Sequence, residues 1–384
     1  MTISDGADGP VLLDGTGIAI ELVKSLTRLG EITTEWQSLL DRVGSTSPFL
    51  HPAFLLPWYS QAEQDRLRTH LMAAWRGKRL VGLLPLSLKS SGIAGLSHRR
   101  LSPPLYGSTP PFDLVTSEPP ASLLMAIDLF FERLLAWDRI HWPAMPAQSL
   151  VSTLVTEHLR RKGHSVRIVP VESRFSVDTR NGWDNYFASI RSHYRNEIKR
   201  QGRVAERMGG ARVETFRPGG ANFEEHLVHA RMVIGASWKN SDEMVERGLE
   251  HLERMSRSLS EAGMFFIHTL FLGGKPVAYL SEIEHEGRRY AFHIAYDDEY
   301  AVVSPGTLVL MSAIRMAFED EMQSYEFCGY RDYLRRLSNV DADFCSVDVT
   351  NRSVLSHLKV GGLDLLRRLA DQNKFTHSQV GARQ

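Results

Sequence analysis

The residues with the clearest chemical potential lie in Ser304-Pro305-Gly306-Thr307-Leu308. A small hydroxyl residue followed by proline reads as a helix start, with Ser304 as N-cap and Pro305 in the first turn. A helix N-terminus offers unbonded N–H groups and the positive end of the helix dipole, which together suit a phosphate. Gly306 removes the side chain that would block close approach, so the amides of Gly306, Thr307 and Leu308 can cradle a pyrophosphate. The same residues also describe an ordinary capped helix. A second group follows Tyr325-Glu-Phe-Cys-Gly329, where a strand ends and Tyr330, Asp332 and Tyr333 come at once. Ligands bind at the carboxyl ends of strands in open α/β sheets, and a tyrosine there can give a proton to a leaving thiolate. Packing beneath the last helix is the alternative for these rings.

A third group is basic. Arg191, Arg195, Lys199, Arg203 and Arg207 recur every four residues and form one slowly rotating helical stripe. The stripe suits an anionic ligand, or else is a solvated face beside an acidic neighbour such as segment 243–261. Arg195 and Lys199 are substrate-binding candidates, with Glu282 on an alternating strand and Trp238 at a helix end. His293 stands alone on a strand. Cys328 has no identifiable base partner, so nucleophilic catalysis is not expected there. No P-loop, GxSxG, HExxH or dinucleotide fingerprint occurs, and no Cys/His spacing asks for a metal.

The elements that must position these residues read as α/β in two similar halves. The first half has a helix at Thr33 to Val43 and a hairpin from His70 to Trp75 and Leu80 to Leu88, turning at Arg76-Gly77-Lys78. Proline-rich irregular chain follows over 102–120, then an apolar helix at Leu123 to Trp137 and a strand at Arg139 to Trp142. Helix 150–161 and strand 165–171 end this half. The second half opens with one long helix, Tyr186 to Met208. Helices at 223–238 and 243–261 follow, then a hairpin turning at Gly273-Gly274-Lys275 and a strand at Arg289 to Tyr296. Helix 305–319, strand 325–328 and strand 344–349 complete it. The shared order suggests duplication, with units at 16–175 and 181–350 and a C-terminal helix and polar tail at 351–384.

Composition sets outer bounds. The chain has 384 residues, enough for two domains. Lys plus Arg and Asp plus Glu both number 45, so no global charge draws it to DNA or an anionic membrane. Two cysteines exclude a disulfide scaffold. The acidic N-terminus lacks the layout of a signal peptide, and no apolar run is long enough to span a bilayer. A cytoplasmic location is expected.

The ordered set of segments carries a resemblance. Ser192-His-Tyr-Arg-Asn-Glu-Ile-Lys-Arg-Gln, Gly-Gly-Lys-Pro-Val-Ala, Tyr-Ala-Phe-His-Ile-Ala-Tyr-Asp-Asp-Glu-Tyr, Ser-Pro-Gly-Thr-Leu and Phe-Cys-Gly-Tyr-Arg-Asp-Tyr stand in this order. With Pro48-Phe-Leu-His-Pro-Ala-Phe they resemble, over roughly residues 30–350, the CelD-like GNAT-superfamily acyltransferases. That group is named for a cellulose-biosynthesis protein and is related to Fem-type aminoacyltransferases. The resemblance implies two tandem GNAT-like units in a mixed-sheet α/β fold, the first a scaffold without a donor site. It implies acyl-CoA or an acyl carrier as donor substrate, no tightly bound cofactor, and an amine acceptor such as an amino sugar or polysaccharide precursor. The donor phosphates then fall on Ser304 to Leu308. The backbone of His293, Ile294, Ala295 and Tyr296 holds the pantetheine and polarises the carbonyl. Tyr330 or Tyr333 serves as acid, with Asp332 and His293 completing the catalytic set. The chain departs from the group in having one glycine in its donor turn and Leu334, not lysine, after Tyr333. Two other readings stand beside amine acylation: an aminoacyl-tRNA donor read by the basic stripe, and a non-catalytic module of a polysaccharide-synthesis complex.

Overall fold

The computed structural model describes residues 12–13, 15–64, 68–93, 96–104, 111–237, 242–329 and 331–365. The chain divides into two compact units that are not contiguous in sequence. One comprises 1–44, 59–171 and 344–384, the other 45–58 and 172–343. Both are mixed α/β, as the alternation of apolar helices and hairpins predicts.

The first unit contains a five-stranded antiparallel sheet in the order Leu12–Leu13, Ala19–Val23, Leu71–Arg76, Arg79–Leu84 and Val115–Thr116. Gly77 turns its central hairpin at φ 62°, a conformation open to glycine. The returning strand stops at Leu84, and Ser87–Ile93 forms a separate strand paired with Leu96–Ser102. The expected helix at 123–137 is a short α-helix, Leu124–Leu129, running into a π turn at Phe130–Leu134. Phe130, Phe131, Trp137 and Trp142 bury its apolar face in this unit's core.

The second unit carries the chemical candidates. Its elements are the end of β1 (Ser165–Asp178, of which 172–178 belong to this unit), α1 (Trp183–Ser189), α2 (Ser192–Arg207), β2 (Ala211–Phe216), α3 (Phe223–Gly235), α4 (Asp242–Glu261), β3 (Phe265–Leu272), β4 (Lys275–His285), β5 (Arg288–Tyr296), α5 (Pro305–Glu319), β6 (Ser324–Phe327) and α6 (Asp332–Arg335). The sheet order is β2-β3-β4-β5-β6-β1. The β5–β6 pair is parallel and the other pairs are antiparallel. Helices α2 and α5 cover one face, where Ile198, Ala205, Val309 and Ile314 pack on Leu270, Ala278 and Leu280. Helices α3 and α4 cover the other, against Phe265, Ile267, Tyr279 and Ser281.

The single helix expected from Tyr186 to Met208 is two helices. Ile190 and Arg191 are extended, at ψ 136° and 131°. Ile190 is drawn into the core. The Arg195 guanidinium donates to the carbonyls of Phe187, Ala188 and Ile190 at 3.4, 2.6 and 3.0 Å. Those carbonyls lack helical partners once α1 ends, so a cation from the next helix completes them.

Candidate active site

The β5–β6 ladder joins Arg288 to Ser324, Arg289 to Tyr325, Tyr290 to Glu326 and Ala291 to Phe327. One further bond runs from the Cys328 N–H to the Ala291 carbonyl at 3.2 Å. There the pairing ends. Strand β5 continues to Tyr296 with β4 as its only ladder partner among the described residues. A β-bulge marks the parting: Ser281 faces His293 while Glu282 faces Ala291, which leaves Phe292 as the extra residue. A bulge bends its strand and ends pairing on the neighbouring side. The sheet therefore splits between β5 and β6 from Ala291 onward.

Helix α5 begins beside the split. Asp297 caps the preceding turn by accepting the Glu299 N–H at 3.0 Å, and it holds Lys275 at 2.9 Å. Ser304 then takes the left-handed conformation, φ 48° and ψ 59°. A non-glycine residue there is strained by about 1–2 kcal/mol, a cost found most often at functional sites. The Ser304 side chain does not cap the helix; it accepts from Gln201 Nε2 at 2.9 Å. The Ser304 carbonyl takes the N–H groups of both Thr307 and Leu308, at 2.9 and 3.2 Å. Of the three amides expected to cradle a phosphate, these two thus already have a partner. Gly306 rests on β5: a Cβ there would lie 3.4 Å from the Tyr296 ring and 3.6 Å from Ile294 Cδ1.

Side chains from α2 and the α6 region close on this turn. Tyr194 hydrogen-bonds with Thr307, and Arg336 lies over the Tyr194 ring at 5.7 Å. Burial raises the hydroxyl of Tyr194 and that of Tyr333, whose electrostatic neighbours include Tyr194 and Tyr296. Tyr333 is 38% exposed, so it meets both solvent and the cluster. Both phenols are protonated at neutral pH, so each has a proton to give. Arg191, His193, Tyr194, Glu197, Gln201, Ser304, Thr307 and Arg336 line a cleft of about 640 Å³. Gln201 is 8% exposed, and its Oε1 has no partner. Its Nε2 is bound by Ser304 and Glu197, which fixes the orientation of the amide. This orphan acceptor in the cleft wall fits a ligand bearing N–H groups.

A second cleft of about 670 Å³ shares Arg191 and Arg336 with the first and adds Arg335 and Asp332. None of these three arginines has an ion pair among the described residues. Lys199 sits elsewhere. It lies 5.6 Å over the Phe187 ring and lines a third cleft with Arg203, Glu206 and Leu308 on the opposite flank of α2. Arg195 is spent on the end of α1, so the stripe does not act as one surface.

The β5 candidates part by face. Ile294 and Tyr296 meet α5. His293 points the other way, stacked on Tyr279 at 5.6 Å and hydrogen-bonded to its hydroxyl; Ala295, paired with Tyr279, is buried there too. Glu282 does not line an open face. It is 0% exposed, its Oε2 lies 2.9 Å from His268 Nε2, and its Oε1 accepts from the Tyr325 hydroxyl. Tyr330 and Trp238 lie outside the described residues. Tyr194 was missed in the sequence because it occupies the apolar stripe of α2. A lone phenol in such a stripe, one turn from the arginines, was the available signal.

Residues 192–335 match the model of the acetyltransferase (GNAT) domain. The chain thus carries a GNAT-type acyltransferase domain, and the match covers the helix, split and turn described above. No curated protein matches the chain. Among solved structures, one similar to it is the C-terminal DUF2156 domain of an Agrobacterium fabrum protein named as a lysylphosphatidylglycerol synthetase. Identity is 11%, with 90% of this chain and 96% of that one covered at a TM-score of 0.51. FemX is similar at 11% identity, covering 82% of this chain and 95% of that one at a TM-score of 0.52. At such identities the likeness is one of fold. Among the described residues no helix is long and apolar enough to cross a membrane, and no acidic, His or Cys cluster could hold a metal.

Proposed function

We propose that the chain is an N-acyltransferase that moves an acyl group from acyl-CoA or an acyl carrier to an amine. The observation that carries this is the parting of β5 from β6 at Ala291, directly beside the N-terminus of α5. A parted parallel pair offers a slot for an extended arm, with backbone groups of β5 along one wall. The α5 N-terminus, with the Gly306 amide and the positive end of the dipole, sits where the anionic end of that arm would lie. The unpaired Gln201 Oε1 suits the amide N–H groups of a pantetheine arm.

In this reading the amine nitrogen attacks the thioester carbonyl, a C–N bond forms and the C–S bond breaks. The ammonium proton passes to a base and the thiolate takes a proton. Tyr333 is the acid best placed among the described residues, with Tyr194 beside it. Tyr330, three residues before Tyr333, keeps the same proposed role. Asp332 and His293 remain proposed members of the set, and backbone N–H groups of β5 polarise the carbonyl. The acceptor we propose, on the family resemblance, is an amino sugar or other polysaccharide precursor. The test is release of free CoA from acetyl-CoA with a panel of amino sugars and other amines. Amine-dependent release is expected; binding of the thioester with no transfer to any amine would leave a non-catalytic module as the better account.

One observation favours a second donor. Arg191, Arg335 and Arg336 form an unpaired cationic groove running away from the turn, which suits a polyanion such as an aminoacyl-tRNA. Binding of tRNA that weakens steeply with salt and is lost in Arg335→Glu/Arg336→Glu would support it. Salt-independent binding, or none, would remove it.

A further inference from the structure

We infer that residues 45–58 limit the length of the transferred acyl group, with Phe54 acting through Phe292 as the specificity-determining contact. This rests on the acyl-transfer reading above. Helix α5 and Gly306 lie against Ile294 and Tyr296 on one face of the sheet. Tyr290 and Phe292 flank Ala291, which is paired with Glu282 on that same face, so their own side chains project to the opposite face. A donor whose anionic end lies at α5, and whose carbonyl enters the split, points its acyl group toward that opposite face.

The opposite face is closed there by chain from far upstream. The Phe54 ring meets Phe292 edge-on at 5.7 Å, and Phe49 meets Phe54 at 5.2 Å and Tyr290 at 5.5 Å. Phe54 is 0% exposed. The segment is also tied down. The Tyr290 hydroxyl donates to the Thr46 carbonyl at 2.7 Å, and the His285 ring nitrogen lies 2.9 Å from the Ser45 carbonyl. Packed aromatic rings of this kind do not yield to an extra methylene without cost. The bulge matters because it places Phe292 at the point where the strands part, backed by Phe54. A short acyl group such as acetyl ends before this wall, and a long chain runs into it.

The test is calorimetric titration with free CoA, acetyl-CoA and octanoyl-CoA. Wild type, Phe292→Ala and Phe54→Leu are compared, the half-buried position 292 being the one that leaves the core intact. Wild type is expected to bind acetyl-CoA more tightly than octanoyl-CoA by roughly tenfold or more. Phe292→Ala is expected to bring the two within about threefold, and Phe54→Leu to move the ratio the same way by less. Equal affinities in wild type, or a ratio that neither variant moves, would overturn the inference. Failure of wild type to bind even free CoA would overturn the donor reading itself, and this inference with it.

Discussion

The Tyr325 hydroxyl on β6 donates to Glu282 on β4, reaching past the strand between them. Glu282 in turn meets His268 on β3, and His268 Nδ1 lies 2.9 Å from the Thr215 hydroxyl on β2. The chain of bonds thus ties β6 to the sheet just below the split, so that β6 parts from β5 at a fixed point. Removing the hydroxyl with Tyr325→Phe leaves a buried carboxylate oxygen without its donor. Stability should fall by about 1–3 kcal/mol in urea denaturation. Glu282→Ala, which also strands His268, should cost about 3–5 kcal/mol.

The same pair predicts an acid response. Burial alone would raise the Glu282 carboxyl, but His268 and Tyr325 outweigh it and hold the group below its ordinary value. A carboxyl depressed in the folded state contributes stability above its unfolded value, about 4.3, and loses it as pH falls through the folded value. Wild type should therefore lose stability more steeply than Glu282→Gln below about pH 4. Parallel acid-denaturation curves for the two would contradict this assignment.

Arg195 and Arg335 should separate structure from binding. Arg195→Ala leaves the carbonyls at the end of α1 without their donor and should destabilise by about 1–2 kcal/mol. Arg335→Ala touches only an exposed groove and should leave stability within about 0.5 kcal/mol while weakening an anionic donor. Urea midpoints and donor Kd, measured on both variants, check the split.

Tyr333→Phe should lower kcat by about 100-fold with donor KM little changed, because the phenol acts only as the thiolate leaves. The alkaline limb of the pH–rate profile should go with it, since burial keeps this hydroxyl protonated above its usual range. A fall confined to KM would assign the ring to binding.

Cys328 follows β6 at the split, and its thiol is poorly suited to act as a nucleophile. Burial pushes it to about 12, so almost none is thiolate at neutral pH. Iodoacetamide should label it in the native protein far more slowly than in the unfolded protein, as peptide mass spectrometry would show. Rapid native labelling would reopen a covalent acyl-cysteine route.

Much of the site's framework was legible in the sequence. The helix start at Ser304-Pro305, the Gly273-Gly274 hairpin and the strand ending near Phe327 all follow from local turn chemistry and alternation. What was not legible depends on contacts between distant segments. The break at Ile190–Arg191 carries no glycine or proline; it is made by burial of Ile190 and by Arg195 reaching back. The Phe292 bulge exists only relative to β4, so no pattern within β5 announces it. The place of residues 45–58 against Tyr290 and Phe292 is set by packing alone. Glu282 stands on an alternating strand in the sequence, but it is partners on two other strands, His268 on β3 and Tyr325 on β6, that let it be buried.

The most direct test of the account is binding of acetyl-CoA to wild type and to Gly306→Trp, with folding of both checked by circular dichroism. A side chain at 306 starts 3.4 Å from the Tyr296 ring, so an indole must fill the space where α5 meets the mouth of the split. Saturable binding by wild type, lost or weakened by about 100-fold in a folded Gly306→Trp, is the predicted result. Equal binding by both proteins, or none by wild type, would contradict a donor site at the start of α5.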